Sequence, residues 1–126
     1  MIPDNTFLIP KLSPGFEATI TLPGSKSIAL RQLAIAALVE GTSHITGIPK
    51  CDDTDAMIDC LRALGVAIDK DTSGTCITGP MDFGSGHVEL NSRMSGASTR
   101  LLIALAALRN GSTRIDGHES LRVRTN

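Results

Sequence analysis

Apolar and polar residues alternate over positions 16–22 (Phe-Glu-Ala-Thr-Ile-Thr-Leu), a period that is typical of a half-buried strand. Pro23 and Gly24 interrupt the alternation, and residues 25–39 are rich in Ala, Leu and Ile, which favours a helix that ends before Gly41. The same comparison of periods predicts further helices at 52–64 and 96–109, strands at 43–48, 66–69, 75–78, 87–90 and 112–116, and a loop at 79–86.

The predicted helices differ in the width of their apolar faces. Segment 52–64 carries its apolar residues on one face and three charged residues on the other, which predicts a surface helix. The helices at 25–39 and 96–109 are apolar nearly all round, so we expect them to be buried on several sides.

An internal repeat organises these elements. Arg31 begins an apolar run that is followed by glycines at positions 41 and 47, and Arg100 begins a similar run that is followed by glycines at 111 and 117. The arginines are 69 positions apart (100 − 31) and the glycines 70 (111 − 41), so one insertion relates the two copies. The chain therefore holds one complete β-α-β-α-β-β unit and the opening β-α-β of a second, in a mixed α/β (α+β) fold.

These units set the predicted boundaries. Because a repeat that stops midway cannot bury its last face, we expect the natural protein to continue past Asn126, with loose packing or self-association over 109–126. A short strand is expected at 7–9. The predicted divisions are a flexible N-terminal arm at 1–15 and a partial domain at 16–126, with unit 1 at about 16–80 and incomplete unit 2 at about 86–126.

Composition narrows the function classes. A net charge of −1 and an aromatic content of 2% argue against a nucleic-acid partner. No apolar run approaches the roughly 18 residues of a membrane span, and the first 20 residues lack the continuous apolar stretch of a secretory signal. We therefore predict a cytoplasmic protein with no membrane partner.

Cys51, Cys60 and Cys76 lack C-x-x-C spacing, which predicts reduced packing residues and no metal site.

The sharpest candidate for chemistry is Leu-Pro-Gly-Ser-Lys-Ser at 22–27, followed by Arg31. A glycine turn between a strand and a helix leaves backbone N–H groups at the positive end of the helix dipole, where anions bind, and Lys26 adds a full charge. Ser27 and Arg31 are four positions apart, so both can address one carboxylate or phosphate. Taken alone, a capped helix start with solvent-facing charges explains the motif equally well.

Two further segments repeat this arrangement. Residues 95–100 (Ser-Gly-Ala-Ser-Thr-Arg) place Gly96 at a helix start and Arg100 one turn later, and residues 119–124 place two arginines after a strand. Taken alone, residues 95–100 are explained by an ordinary loop before a helix, and residues 119–124 by a solvated face. Three cationic segments at junctions between strands and helices together favour a small polyanionic substrate, because such junctions hold the ligands of open α/β sheets.

In order and spacing, these motifs and the acidic pair Asp52-Asp53 resemble the N-terminal portion of EPSP synthases over roughly residues 16–124. These enzymes transfer the enolpyruvyl group of phosphoenolpyruvate to shikimate 3-phosphate in the shikimate pathway of aromatic amino acid biosynthesis. The resemblance implies the enolpyruvyl transferase inside-out barrel fold, in which two domains of three β-α-β-α-β-β units enclose the active site. It implies no cofactor.

The resemblance also assigns roles to residues. It implies that Lys26 is catalytic and contacts both substrates, and that Ser27 and Arg31 hold the carboxylate of shikimate 3-phosphate. Gly96 and Arg124 would bind the phosphate of phosphoenolpyruvate through a backbone N–H and a guanidinium. A further arginine, at position 100, would lie at the rim of the same site.

Other residues of the family site come from later units and the second domain, so we predict that the isolated chain is inactive and that its partner is the missing C-terminal portion. Met94, Ala97 and Leu101 depart from the usual asparagine, threonine and proline beside the phosphoenolpyruvate pocket. We therefore expect reduced sensitivity to glyphosate. Thr125-Asn126 replaces the usual proline after Arg124.

Two alternatives remain open. The sister enzyme that acts on UDP-N-acetylglucosamine usually has Lys-Asn in place of Lys26-Ser27 and a reactive cysteine in a loop, and no cysteine of this chain lies in the matching region. A non-catalytic module, either a complementing fragment or a stand-alone anion-binding domain, is the alternative from a different class.

Overall fold

The computed structural model describes residues 6–124 and shows the predicted alternation of helices and strands. The helices of this part of the chain are α1 (Lys26–Ala36), α2 (Asp52–Ala63), α3 (Gly96–Ala106) and α4 (Glu119–Arg122), and the strands are β1 (Gly41–Ile45), β2 (Ala67–Lys70), β3 (Thr75–Gly79), β4 (Val88–Asn91) and β5 (Thr113–Asp116). Helix α4 adds to the predicted elements, because four residues are too few to show a helical period.

The strands form two kinds of pairing. Strands β1, β3 and β2 lie side by side in that order and are antiparallel, with Ile77 opposite both Ser43 and Ile68, which confirms the predicted hairpin. Strands β4 and β5 pair in parallel, with Leu90 opposite Ile115. Parallel neighbours need a crossover connection, and α3 provides it. The mixed α/β class is confirmed.

The core lies where α1, α2 and α3 pack against one another and against the sheet of β1, β3 and β2. Burying each large apolar side chain contributes about 1.5–3 kcal/mol, so this contact dominates the stability of the described residues. Its largest buried side chains include Leu33, Met57, Leu61, Ile77 and Leu102.

The strand predicted at 16–22 does not form, and neither does the short strand at 7–9. The apolar side chains of this segment stay exposed, with Phe16 62%, Ile20 76% and Leu22 75% accessible. A strand is completed by hydrogen bonds to a neighbour, and no described strand pairs with these residues. Alternation alone was therefore misleading, and unit 1 lacks its opening strand among the described residues.

The prediction that the helices at 25–39 and 96–109 are buried on several sides is wrong for the described residues. Helix α1 exposes Ile28 and Ile35, and α3 exposes Ile103. Each helix is covered on the side that faces the other helices, and no described element packs over the opposite side. Helix α2 has an exposed polar face, as the sequence predicts, over a fully buried apolar face.

The repeat shows in the caps of the two helices. Helices α1 and α3 each have 11 residues and start after a serine N-cap, Ser25 and Ser95, which are 70 positions apart (95 − 25). Their buried residues instead correspond at a separation of 69. Relative to its N-cap, the buried face of one helix is therefore shifted by one residue, which is a rotation of about 100°. The matching buried pairs are Ala29 with Ser98, Leu30 with Thr99, Leu33 with Leu102, and Ala36 with Leu105.

Arg109 contradicts the expectation of loose packing from residue 109 onward. It is only 7% exposed, and its guanidinium donates hydrogen bonds to the carbonyl groups of Asp82, Gly86 and Ser112 and to the hydroxyl of Thr113. This side chain ties the loop before β4 to the start of β5.

Candidate functional site

Lys26 begins α1, and the turn before it requires glycine. A Cβ on Gly24 would overlap the carbonyl oxygen of Gly47, so the turn packs against the connection from β1 to α2 only without a side chain. Ser25 caps the helix, because its Oγ accepts a hydrogen bond from the backbone N–H of Ile28 at 3.4 Å. These contacts fix the backbone of Lys26.

The Lys26 ammonium pairs with Asp53 in the first turn of α2, at 2.7 Å between Nζ and Oδ2. The hydrogen bond and charge of Asp53 raise the pKa of Lys26, and hydrogen bonds from Lys26 and Ser95 lower the pKa of Asp53. The main-chain carbonyl of Asp53 also accepts a hydrogen bond from the Ser98 hydroxyl at 3.1 Å. Asp53 therefore joins the beginnings of α1, α2 and α3.

The beginning of α3 supplies backbone N–H groups. Ser95 caps this helix, and its Oγ accepts a hydrogen bond from the N–H of Ser98 at 3.1 Å. The N–H groups of Gly96 and Ala97 have no acceptor within residues 6–124. Together with the positive end of the helix dipole, these two groups can bind an anion.

Arg124 lies beside the same helix start. The buried Leu121 of α4 packs there, with its Cδ1 3.9 Å from the point that a Cβ on Gly96 would occupy. The Nη1 atom of Arg124 lies 4.0 Å from that point. A guanidinium and the free N–H groups of α3 are thus close enough to bind one phosphate together.

An open cavity of about 420 Å³ lies between these elements. Three cationic side chains and one carboxylate border it, together with the start of α3, so its charge and its N–H dipoles both favour a polyanion. The residues that line it are Lys26, Asp53, Met94, Gly96, Ala97, Arg100 and Arg124. The structure therefore brings together four of the six residues that the sequence analysis singled out.

The other two, Ser27 and Arg31, lie on the exposed surface of α1 and do not line this cavity. Arg31 Nη1 donates a hydrogen bond to the backbone carbonyl of Ser27 at 2.7 Å and also to its Oγ. Their spacing does place both side chains on one helical face, where a hydroxyl and a guanidinium are presented together. Lys26 lines the cavity, and Ser27 directly follows it in the sequence.

The cysteines are free, as the sequence predicts. Cys60 is buried in α2, its Sγ donates to the carbonyl of Asn91 at 3.3 Å, and burial raises the pKa of its thiol to about 11. A nucleophilic cysteine needs a lowered pKa, so Cys60 is a packing residue.

The contact between Asp53 and Lys26 could not be predicted from the sequence. In the sequence the acidic pair is only part of a family motif, whereas the carboxylate of Asp53 pairs with a lysine 27 positions away (53 − 26). No local pattern predicts which cation a carboxylate at a helix start will face. The one local signal is the number of carboxylates in the first turn of α2, at Asp52, Asp53 and Asp55.

Comparisons with known proteins identify the family of the chain. The family model described as EPSP synthase (3-phosphoshikimate 1-carboxyvinyltransferase) matches residues 13–125. A 3-phosphoshikimate 1-carboxyvinyltransferase of Rhizobium etli is 46% identical over 103 residues, which cover 81% of this chain and 24% of that protein. A protein of the same name from Pseudomonas syringae pv. tomato is 34% identical over 129 residues, covering 98% of this chain and 30% of the relative.

Among solved structures, EPSP synthase from Acinetobacter baumannii superimposes with a TM-score of 0.68 at 28% identity, over 83% of this chain and 24% of that one. The chain thus spans about a quarter of the length of the first relatives that it matches. No helix of residues 6–124 is long and apolar enough to cross a membrane. The family model covers nearly all of the sequence, and the chain belongs to the EPSP synthase family.

Proposed function

We propose that the chain forms the N-terminal part of a transferase that moves the enolpyruvyl group of phosphoenolpyruvate onto shikimate 3-phosphate. The observation that carries this proposal is the cavity in which Lys26, Arg100 and Arg124 surround the free N–H groups of α3. Two polyanionic substrates repel each other, so a site that joins them must supply fixed positive charge and oriented N–H dipoles.

Each residue takes a role that its position allows. The N–H of Gly96 and the guanidinium of Arg124 hold the phosphate of phosphoenolpyruvate, since the guanidinium lies beside Gly96 at the start of α3. Ser27 and Arg31 hold the carboxylate of shikimate 3-phosphate on the neighbouring surface of α1. Lys26, at the junction of these two surfaces, contacts both substrates and is the catalytic cation. Arg100 adds charge at the rim.

Asp53 has a role that follows from its hydrogen bond. Its carboxylate holds the Lys26 ammonium at the border of the cavity between α1 and α3. Without this partner a lysine side chain with four rotatable bonds would sample many positions. Asp53 therefore orients the catalytic cation for its contacts with both substrates.

The isolated chain should not turn over, because the cavity is open and the chain spans only about a quarter of its relatives. Its partner is the remaining polypeptide, which contributes the rest of the substrate site and the groups that transfer protons. This proposal includes a cytoplasmic location, the arm at 1–15 and the two units at 16–80 and 86–126. The arm lies partly outside the described residues.

The proposal is tested by fusing residues 1–126 to the remaining three quarters of the Rhizobium etli relative and assaying phosphate release from the two substrates. We expect turnover by the fusion and none by the chain alone. Lys26→Met should abolish turnover, and Arg124→Ala should raise KM for phosphoenolpyruvate. Arg114→Ala is the matched control, since Arg114 is exposed and lies outside the cavity. A fusion that folds but stays inactive would refute the proposal.

The cavity also favours a second function, that of an anion-binding module without turnover, because its free N–H groups and arginines are present in the chain alone. Calorimetric titration of the isolated chain with phosphoenolpyruvate measures this binding, and a mixing experiment separates the two cases. Mixing the chain with the C-terminal portion of the relative should regain turnover only if the chain is a complementing part of the transferase. Weak binding with no regained activity would favour the module.

Reduced glyphosate sensitivity remains part of the proposal. Met94 and Ala97 line the cavity, so two of the three departures from the family pattern lie at the site itself, whereas Leu101 does not line it. Met94→Asn and Ala97→Thr in the fusion should increase inhibition by glyphosate. Inhibition of the unmodified fusion as strong as that of a sensitive enzyme would contradict this expectation.

A further inference from the structure

Arg93 has an unusual backbone conformation. Among residues 6–124 it is the one non-glycine residue in the left-handed region, with φ at 53°. A residue with a side chain adopts this conformation only at an energetic cost. Such a cost is sustained only where surrounding contacts hold the residue in place, so the contacts of Arg93 indicate what is being held.

The side chain of Arg93 bridges two turns of α2. Its Nη1 lies 2.8 Å from Asp52 Oδ1, and its Nη2 lies 2.6 Å from Asp59 Oδ2. The two carboxylates are seven positions apart and therefore lie on one face of the helix. One guanidinium thus attaches the loop between β4 and α3 to the surface of α2 at two points.

The backbone of Arg93 makes two further attachments. Its N–H donates to the side-chain oxygen of Asn91 at 2.9 Å, and its carbonyl accepts a hydrogen bond from the N–H of His118 at 2.7 Å. A Cβ on Gly117 would overlap the same carbonyl, so the turn before α4 approaches Arg93 very closely. Arg93 therefore links α2, the loop before α3 and the turn before α4.

These links converge on the phosphate end of the cavity. The loop that contains Arg93 leads within three residues to the N–H of Gly96, and the turn that it contacts leads through α4 to Arg124. We propose that Arg93 is a positioning residue, which fixes the distance between the free N–H groups of α3 and the guanidinium of Arg124. The proposal rests on the function proposed above, because it concerns the phosphate of phosphoenolpyruvate.

The test uses Arg93→Ala, Arg93→Gly and Arg93→Lys in the fusion protein. Glycine accepts the left-handed φ without strain, so Arg93→Gly removes the side-chain contacts alone. We expect KM for phosphoenolpyruvate to rise about ten-fold in the alanine and glycine variants, since misplaced binding groups lose affinity. Arg93→Lys should restore part of the loss. KM for shikimate 3-phosphate should change less than about two-fold, because α1 carries that site.

The controls separate positioning from general stability. Arg114→Ala, an exposed arginine paired with Glu89 and Asp116, should leave both KM values and the melting temperature unchanged. The proposal is overturned if Arg93→Gly behaves as wild type, or if both KM values rise together with a lower melting temperature.

A second readout does not need turnover. Inorganic phosphate is titrated into the 126-residue chain while the amide signals of Gly96 and Ala97 are followed by NMR, and Arg93→Ala should weaken binding about ten-fold. If the fusion is inactive but this difference is found, the proposed function fails and the role of Arg93 stands. Equal phosphate affinity, or no binding by the wild-type chain, overturns the role of Arg93.

Discussion

Replacing Arg109 with alanine tests how the loop before β4 is held. The guanidinium is 7% exposed and donates four hydrogen bonds, three of them to backbone carbonyls at 3.1–3.3 Å. No buried polar side-chain atom of the described residues lacks a partner. Removal of this side chain would leave the carbonyls of Asp82 and Gly86 to water, while the carbonyl of Ser112 would keep its hydrogen bond from the N–H of Val88.

The size of the effect follows from these bonds. A hydrogen bond that involves a charged group contributes about 1.5–3 kcal/mol, but bonds from one group do not add, and water can reach a surface loop. We therefore expect Arg109→Ala to lower the free energy of unfolding by about 2–4 kcal/mol. Arg109→Lys keeps the charge but not the planar set of donors, and it should lose about half as much.

Urea denaturation of the wild-type and variant chains, followed by circular dichroism, measures this difference. Arg114→Ala is the matched control, since an exposed arginine is expected to change stability by less than about 0.5 kcal/mol. The reasoning would be refuted if Arg109→Ala were as stable as Arg114→Ala, because the hydrogen bonds of the Arg109 guanidinium would then have contributed nothing to stability.

Three other predictions address the site and its surroundings. Gly96→Ala should leave the melting temperature unchanged, since its Cβ fits without overlap, but should weaken phosphate binding in calorimetry. Asp53→Asn should lower the pKa of Lys26 toward 10.5 in an NMR titration, because the hydrogen bond and charge that raise it are lost. The Arg122 guanidinium lowers the pKa of Asp116 from 3.8 to about 2, so this carboxylate stabilises the folded chain above pH 4. Urea midpoints should show that contribution disappear between about pH 4 and 2 in wild type and be absent from Asp116→Asn.

Local rules explain what could be predicted. Periods of 3.6 and 2 residues depend on neighbours in sequence, so they located α2 and the hairpin of β2 and β3. The serine and glycine motifs located the starts of α1 and α3, because helix capping is also local. The motif around Lys26 and Arg31 identified the family, because its residues also lie close together in the sequence.

Contacts between distant residues explain what could not be predicted. Residues 16–22 have the period of a strand but no described neighbour, and pairing is what makes a strand. The partners of Lys26 and Arg93 are carboxylates 27 to 41 positions away, at Asp53, Asp52 and Asp59. Only the packing of the helices decides which charges meet.

The sequence by itself determined the order of the elements from α1 to β5, the repeated motifs and the family, because each is written in residues that lie close together along the chain. The tertiary structure alone decided that the starts of α1, α2 and α3 meet around one cavity, with Asp53 on Lys26 and Arg124 over Gly96. The physical reason is that buried apolar faces fix how the helices pack, and that packing places polar groups which no local pattern relates.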